Sequence, residues 1–85
     1  LAANNRVQAD LLRLARNNMV GENRAELVPI PVHGDIASRV STTRETVARV
    51  LSDLSRQGVV ERLKDRLVID DVDHLEDMVE EVRGE

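Results

Sequence analysis

A stretch in the middle of the chain constrains the fold most, because it has the period, the start and the end of an amphipathic helix. Its apolar residues recur at i, i+3, i+4 and i+7, namely Val47, Val50, Leu51 and Leu54. Thr42 and Glu45 are spaced as a capping box, and Thr43 is a second candidate N-cap. Gly58 follows, a residue that accepts the left-handed backbone at a helix end. The sequence therefore predicts a helix over residues 43–57.

The opposite face of this helix carries a charged strip. Arg44 and Ala48 are four residues apart, as are Glu45 and Arg49, so all four share the solvent side near the N-terminal end. Ala48 is small and lets a partner approach closely. Arginine pairs bidentately with guanine and glutamate accepts from the cytosine amino group, so the strip is suited to reading base edges. On this helix alone, an ordinary solvated face is the alternative interpretation.

Composition excludes several classes of function. The chain has 85 residues and no Cys, Trp, Tyr or Phe, so one domain with an aliphatic core is predicted, without disulfides, thiolate metal sites or an iron–sulfur cluster. No apolar run is long enough to span a membrane and the N-terminus lacks a signal-peptide pattern, which favours a cytoplasmic location. Neither a nucleophile–base pair, a phosphate-binding glycine loop nor a cluster of metal ligands is present, so no catalytic or metal-binding residues are predicted.

The charge of the chain is unevenly distributed. The net charge of −4 argues at first against nucleic acid, but eight of the 16 acidic residues fall within residues 70–85. The rest of the chain is basic on balance. An affinity for phosphates that is moderate rather than high is therefore expected.

The remaining segments predict three more helices and short strands. Apolar periodicity predicts a helix over residues 4–18, capped by Asn4 or Asn5, and a last helix capped by Asp73. Two prolines within residues 27–32 restrict that segment to a short edge strand that pairs with a later hairpin. The inward side chains of the last helix are Leu75, Met78, Val79 and Val82.

Residues 33–70 have the layout of a helix-turn-helix followed by a hairpin. A short helix over residues 33–40 with a small central Ala37, a three-residue turn and a longer helix form the motif. In this motif the second helix enters the major groove, led by its N-terminal residues. The hairpin over residues 59–70 turns at Lys64 and Asp65, and its basic tip suits contacts with the DNA backbone, although a solvated hairpin is the alternative. The basic tip residues are Arg62, Lys64 and Arg66.

Several segments together resemble the C-terminal domain of the cyclic-AMP receptor protein (Crp/Fnr) superfamily. They are Asp35-Ile36-Ala37, the turn over residues 41–43, Arg44-Glu45-Thr46-Val47-Ala48-Arg49 and Gly58-Val59-Val60. The resemblance implies a winged helix-turn-helix, mainly α with a small β-sheet (α+β), with about four helices, a hairpin wing and a short edge strand. It implies a single domain over residues 1–85, the C-terminal part of a longer bacterial transcription regulator.

The resemblance also assigns roles to individual residues. It implies that helix 43–57 reads the major groove through Arg44, Glu45 and Arg49. It implies backbone contacts from the hairpin and the motif, at Thr42, Thr43, Thr46, His33, Ser38, Lys64 and Arg66. The implied partner is double-stranded DNA with a palindromic TGTGA-like site, bound by a homodimer of the full-length protein, with RNA polymerase as a further partner. No cofactor belongs to this chain; the effector-sensing domain and the dimerisation helix lie outside it, and a cyclic nucleotide is one candidate effector.

Three residues depart from the family pattern. Val32 stands where relatives often have a threonine that caps the first motif helix, and losing such a cap costs about 0.5–2 kcal/mol. Gly34 replaces a larger polar residue, so weaker anchoring to the DNA backbone is expected, with His33 or Asp35 as compensation. Ser41 occupies a position usually held by glycine, which predicts a mildly strained turn. The alternative function is a winged-helix protein-interaction module that does not read DNA sequence, for which the acidic last helix offers a charged surface.

Overall fold

Four helices and three short strands make up residues 2–83, which are the residues that the computed structural model describes. In chain order they are α1 (Ala3–Arg16), β1 (Ala25–Leu27), α2 (His33–Arg39), α3 (Arg44–Arg56), β2 (Val60–Arg62), β3 (Leu67–Ile69) and α4 (Val72–Arg83). The strands form one antiparallel sheet, on which α1 packs against β1 and α3 packs against β2. The predicted winged helix-turn-helix fold, mainly α with a small sheet, is confirmed.

The sheet has the order β1-β3-β2, so β3 is its central strand. Ala25 pairs with Ile69 on one side of β3, and Val60 pairs with the same residue on the other side. All three residues of β3 are buried. Strands β2 and β3 are the predicted hairpin, and β1 is an edge strand that pairs with it.

The edge strand lies earlier in the chain than the sequence predicts. The predicted strand covered residues 27–32, whereas β1 covers Ala25–Leu27. The predicted position is wrong because Pro29 and Pro31 have no backbone N–H to donate to a ladder. The chain leaves the sheet ahead of these prolines, and residues 28–32 connect β1 to α2.

Helix α1 forms as predicted but begins without the predicted cap. Ala2 occupies the N-cap position and offers no side-chain acceptor, so Asn4 and Asn5 lie inside the first turn. At the other end, the side-chain amides of Asn17 and Asn18 each donate to a carbonyl four residues back, at 3.1 and 2.8 Å. The bond from Asn18 satisfies the Leu14 carbonyl at the helix end, and the bond from Asn17 adds to the backbone N–H that already donates to the Arg13 carbonyl.

Helix α4 is capped by Asp71 rather than by the predicted Asp73. Asp71 Oδ1 accepts from the Asn23 side-chain amide at 2.9 Å and from the backbone N–H of His74 at 3.0 Å. These two bonds lower the pKa of the Asp71 carboxyl, the Asn23 amide contributing most. Because α4 begins at Val72, Asp71 is the residue in position to cap it, and Asp73 already lies in the first turn.

An aliphatic core fills the space between the helices and the sheet. Its largest fully buried side chains come from all four helices and from the segment of the hairpin: Val7, Leu11, Ile36, Val47, Leu54, Val59, Val68, Ile69 and Leu75. On α4 the predicted inward face is confirmed at Leu75 and Val79, which are buried, and Met78 is half-buried. The predicted contact of Val82 falls on a side chain outside those the structure describes.

We predict that Leu54→Ala destabilises the domain by about 2–5 kcal/mol, because it leaves a cavity where the side chain is 1% exposed. A domain of this size has about 5–15 kcal/mol of stability, so the variant lies close to unfolding. Leu63→Ala is the matched control, since Leu63 is 39% exposed. Chemical denaturation compares the midpoints of the two variants. Equal midpoints would show that Leu54 does not lie on the buried face of α3.

A buried carboxylate holds α2 against α1. The Asp10 side chain on α1 is 7% exposed, and its Oδ2 accepts from the guanidinium of Arg39 on α2 at 2.8 Å. Arg13, one turn along α1, donates to Oδ1 at 3.1 Å. Burial alone would raise the pKa of Asp10, but the hydrogen bonds from Arg39 and Arg13 outweigh it and hold the pKa below its usual value. The ion pair between Asp10 and Arg39 joins residues 29 positions apart and was not predicted from the sequence.

We predict that Asp10→Asn lowers the free energy of unfolding at pH 7 by about 1.5–3 kcal/mol, the range for hydrogen bonds to a charged group. The folded-state pKa of Asp10 is depressed, so the carboxylate stabilises the fold above the ordinary aspartate pKa near 4. That contribution is lost as the pH falls through the lower folded-state pKa. The stability difference between the parent and the variant therefore narrows from pH 7 to acid, as measured by urea denaturation at several pH values.

The matched control for this pH series is Asp77→Asn, since Asp77 is exposed on α4. Its stability should follow that of the parent within about 0.5 kcal/mol at each pH. A difference between the parent and Asp10→Asn that stays constant from pH 7 to pH 3 would contradict the role given to the charge.

The turn between α2 and α3 contains the strain that the sequence predicts. Ser41 has φ +55°, in the left-handed region that glycine enters without a Cβ penalty. The N–H of Thr42 donates to the Ala37 carbonyl at 2.9 Å. Arg6 of α1 reaches the same turn, with its Nε 2.8 Å from the Val40 carbonyl oxygen. A hydrogen bond to α2 and one from α1 therefore hold the turn, although Ser41 within it is strained.

We predict that Ser41→Gly stabilises the domain by about 0.5–1 kcal/mol. Relief of the left-handed conformation is worth about 1–2 kcal/mol, and the greater freedom of glycine in the unfolded chain offsets about 0.4–1 kcal/mol of it. Ser41→Ala keeps the Cβ and should give no gain. If thermal denaturation shows that the two variants change stability equally, the serine is not strained in solution.

Candidate nucleic-acid interface

Thr43 defines where α3 begins and therefore which residues lead it. Thr43 is extended, with φ −106° and ψ 159°, and its side chain accepts from the backbone N–H of Thr46 at 3.2 Å. The two hydroxyls are also 3.0 Å apart. Of the two predicted caps, Thr43 is confirmed, and Thr42 is too early because the helix starts at Arg44. Gly58, with φ +78°, ends the segment as predicted.

The charged strip of α3 faces outward, as its spacing predicts. Val47, Val50 and Leu54 are buried on one side of the helix. The members of the strip are all exposed: Arg44, Glu45, Ala48 and Arg49. Within residues 2–83 the three charged side chains of the strip form no ion pair or hydrogen bond with a side chain. Their donors and acceptors are therefore available to a partner.

Most other arginines of the described chain are engaged with carboxylates. Arg13 and Arg39 bind Asp10, and Arg24 lies near Glu26 and Asp70. The other ion pairs join Arg16 to Glu76, Arg56 to Asp53, and Arg66 to both Glu26 and Asp65. Arg6 donates to the carbonyls of the turn before α3. Four of the Arg and Lys side chains that the structure describes have no carboxylate partner in it, and they belong to the α3 strip and the hairpin tip: Arg44, Arg49, Arg62 and Lys64.

The hairpin presents its tip beside α3. The N–H of Leu63 donates to the Arg66 carbonyl at 2.9 Å, which closes the turn around Lys64 and Asp65. A groove of about 400 Å³ lies between α3, the strands of the hairpin and the segment that leads into α2, and it is bordered by Ala48 of the strip, Arg62 of β2 and His33 of α2. The strip and the hairpin therefore flank one surface.

Arg66 differs from its neighbours at the tip. One terminal nitrogen is 2.6 Å from Glu26 Oε1 on β1, and its Nε is 2.9 Å from Asp65 Oδ1. The carboxylates of Asp65 and Glu26 raise the pKa of Arg66, and Arg66 in turn lowers the pKa of Asp65. The predicted backbone contact at Arg66 therefore requires a guanidinium that already has two partners. Arg62, another basic residue of the predicted tip, has no carboxylate partner in the described chain.

The other predicted backbone residues surround the start of α3. Thr43 is exposed, and Thr42 and Thr46 are half-buried. On α2, Ser38 is exposed and His33 is half-buried at the first helical position. Their side chains all lie on the helix-turn-helix, and Lys64 and Arg66 lie on the hairpin.

The first turn of α2 lacks a side-chain cap, as the valine at this position predicts. Val32 occupies the N-cap position with φ −76° and ψ 127°, and no side chain accepts from the first turn. The carbonyl of Val32 accepts from the N–H groups of Asp35 and Ile36 at 3.0 and 3.3 Å. Asp35 places an acidic side chain near the positive end of the helix dipole, which is a favourable location.

Comparison with known proteins decides the family. Residues 5–78 match the model of the Crp-like helix-turn-helix domain. The chain belongs to this family. The resemblance drawn from the sequence is confirmed, and the chain is a DNA-binding domain of the kind found in transcription regulators rather than an enzyme.

Similar proteins agree with this assignment. The transcriptional regulator SdrP of Thermus thermophilus is 30% identical over 76 residues, which cover 89% of this chain and 38% of that protein. The crystal structure of TTHA1359, a CRP/FNR-family regulator of Thermus thermophilus, is 28% identical with a TM-score of 0.71 and covers 91% of this chain and 40% of that one. Oxidized CprK in complex with o-chlorophenolacetic acid shares the fold, with 18% identity, a TM-score of 0.79 and coverage of 92% and 34%. The chain thus spans between one third and two fifths of the length of these relatives.

None of the helices within residues 2–83 is both long enough and apolar enough to cross a membrane.

Proposed function

We propose that this domain binds double-stranded DNA in a sequence-specific manner, with α3 in the major groove and the hairpin on the adjacent backbone. The observation that carries the proposal is the placement of the unpaired basic groups. They occur on the leading turns of α3 and on the hairpin tip, and the two elements flank one surface. A helix is the element that fits the major groove, and its N-terminal residues reach the base edges.

The spacing along α3 suits the reading of separate base pairs. Arg44 and Arg49 are five residues apart, which corresponds to about 7.5 Å along a helix axis. Successive nucleotides of one strand are about 3.4 Å apart along the duplex, so the two guanidiniums span about two base pairs. Each guanidinium offers a bidentate pair of donors to guanine, and Glu45 offers an acceptor to the cytosine amino group. This arrangement supports a half-site that contains G·C pairs, such as the TGTGA-like element.

Contacts with phosphates complete the proposed interface. Thr43 and Thr46 lie at the N-terminal end of α3, where hydroxyls and the helix dipole favour an anion. The flanking contacts come from the α2 side and from the hairpin: Thr42, His33, Ser38, Lys64 and Arg66. Lys64 is exposed and has no carboxylate partner in the described chain, so its charge is available to a DNA phosphate.

The domain acts, in this proposal, within a longer dimeric regulator. The relatives it matches are more than twice its length, since it covers 38% of SdrP and 40% of TTHA1359. Two such domains would bind a palindrome with half-sites about 34–36 Å apart. The rest of the protein would sense an effector, for which a cyclic nucleotide is one candidate, and the bound dimer would contact RNA polymerase. A single domain is expected to bind about 10²–10⁴-fold more weakly than the dimer.

We predict that Arg44→Ala and Arg49→Ala each lose about 1–3 kcal/mol of DNA-binding free energy and relax the preference at one base pair. Lys64→Ala should instead weaken binding to all sequences alike and lower the slope of log K against log salt by about one. Selection from a pool of random duplexes at low salt, followed by titrations over a salt series, measures both effects.

Arg16→Ala is the charge-matched control, because Arg16 lies on α1 and is paired with Glu76. It should leave the base preference unchanged. Uniform weakening by Arg44→Ala and Arg49→Ala would contradict the base-reading role. A titration with duplex DNA that leaves the amide resonances of residues 42–49 unmoved would favour the protein-interaction module instead.

A further inference from the structure

Gly34 on α2 lies against the guanidinium of Arg44. A Cβ atom added at Gly34 would be 3.1 Å from Nε of Arg44, 3.5 Å from one terminal nitrogen and 3.6 Å from Cζ. The three nearest neighbours of that missing atom all belong to one guanidinium. The absence of a side chain at Gly34 therefore provides the space in which this end of Arg44 lies.

The local backbone gives no other reason for a glycine at this position. Gly34 is the second residue of α2, and glycine is less favourable than alanine in a helix. Its φ is not positive, in contrast to Gly58 with φ +78°. At Gly21 an added Cβ would meet only the Cβ of Arg24, at an ordinary 3.9 Å. Close contact with a functional side chain is therefore particular to Gly34.

This contact restrains Arg44 without using its hydrogen-bond donors. Arg44 is exposed and has no carboxylate partner among residues 2–83, so packing against α2 is the contact that limits its guanidinium. An arginine side chain loses considerable rotamer freedom when it is immobilised on binding. A guanidinium that is already confined, with its donors available, loses less.

We propose that Gly34 is a positioning residue for Arg44 and determines how strongly the domain prefers one base at the pair that Arg44 contacts. The inference rests on the proposed base-reading role of Arg44. An alanine at position 34 pushes the guanidinium away by a few tenths of an ångström, since the side chain is exposed and free to move outward. Arg44 then samples more orientations, and its discrimination between bases falls.

The test compares Gly34→Ala with Gly21→Ala in the 85-residue chain. The base pair assigned to Arg44 is first identified as the position whose preference is relaxed in Arg44→Ala. Gly34→Ala should reduce the preference at that pair about 2- to 10-fold and leave the other pairs unchanged. Its melting temperature should be equal to or higher than that of the parent, because alanine favours a helix. Gly21→Ala should keep every base preference.

A double variant shows whether the effect passes through Arg44. Gly34→Ala combined with Arg44→Ala should match Arg44→Ala alone. The inference is overturned if Gly34→Ala keeps the full preference, or weakens all sequences equally, while Arg44→Ala relaxes one pair; the proposed function then stands. If Arg44→Ala relaxes no base pair, the proposed function fails and the inference fails with it.

Discussion

The burial of one face of α3 is the interaction on which the rest of the structure depends. Val47, Val50 and Leu54 are at most 2% exposed, and they pack into a core with no aromatic side chain. Without large aromatic rings, many aliphatic contacts must each fit closely, since packing in protein interiors is dense. This burial determines the rotation of α3 about its axis. The charged strip faces outward because the opposite side of the same helix is held in the core.

Polar contacts from α1 add to the apolar packing that holds α2. Helix α2 contributes Ile36 and Ala37 to the core, which is a small area for a helix. The Asp10 carboxylate adds a charged clamp through Arg39, and Arg6 holds the turn that follows through the Val40 and Ser41 carbonyls. Asp10 and Arg6, which make these contacts, both lie on α1, so α1 helps to position α2 and the turn before α3. In this way the orientation of α3 depends on α1, which carries none of the proposed DNA contacts.

The sequence predicts the long periodic elements and misses contacts between distant residues. Helices α1 and α3 were predicted because their apolar spacing persists over several turns. Gly58 was identified from its backbone requirement, and Ser41 from its departure from the family pattern. The location of β1 was missed, since pairing with β3 rather than local propensity selects Ala25–Leu27. Asp71 and Asp73 are equally good caps by residue type, and only the start of α4 distinguishes them. The exposure of the α3 strip followed from its period, but the pairing of Arg66 with Glu26, 40 positions away, did not.

The pairing pattern also explains how an acidic chain presents a basic surface. The chain has a net charge of −4, yet its carboxylates neutralise arginines on α1, on α2, at the end of α3 and at Arg66 of the hairpin tip. The acidic side chains of α4 lie on a helix that packs mainly against α1. Exposed charges act over about 10 Å at moderate ionic strength, so a duplex is attracted by the α3 strip and the hairpin tip and repelled by α4. We expect this asymmetry to orient the domain as it approaches DNA more than to strengthen the complex, because four unpaired cations release few counterions.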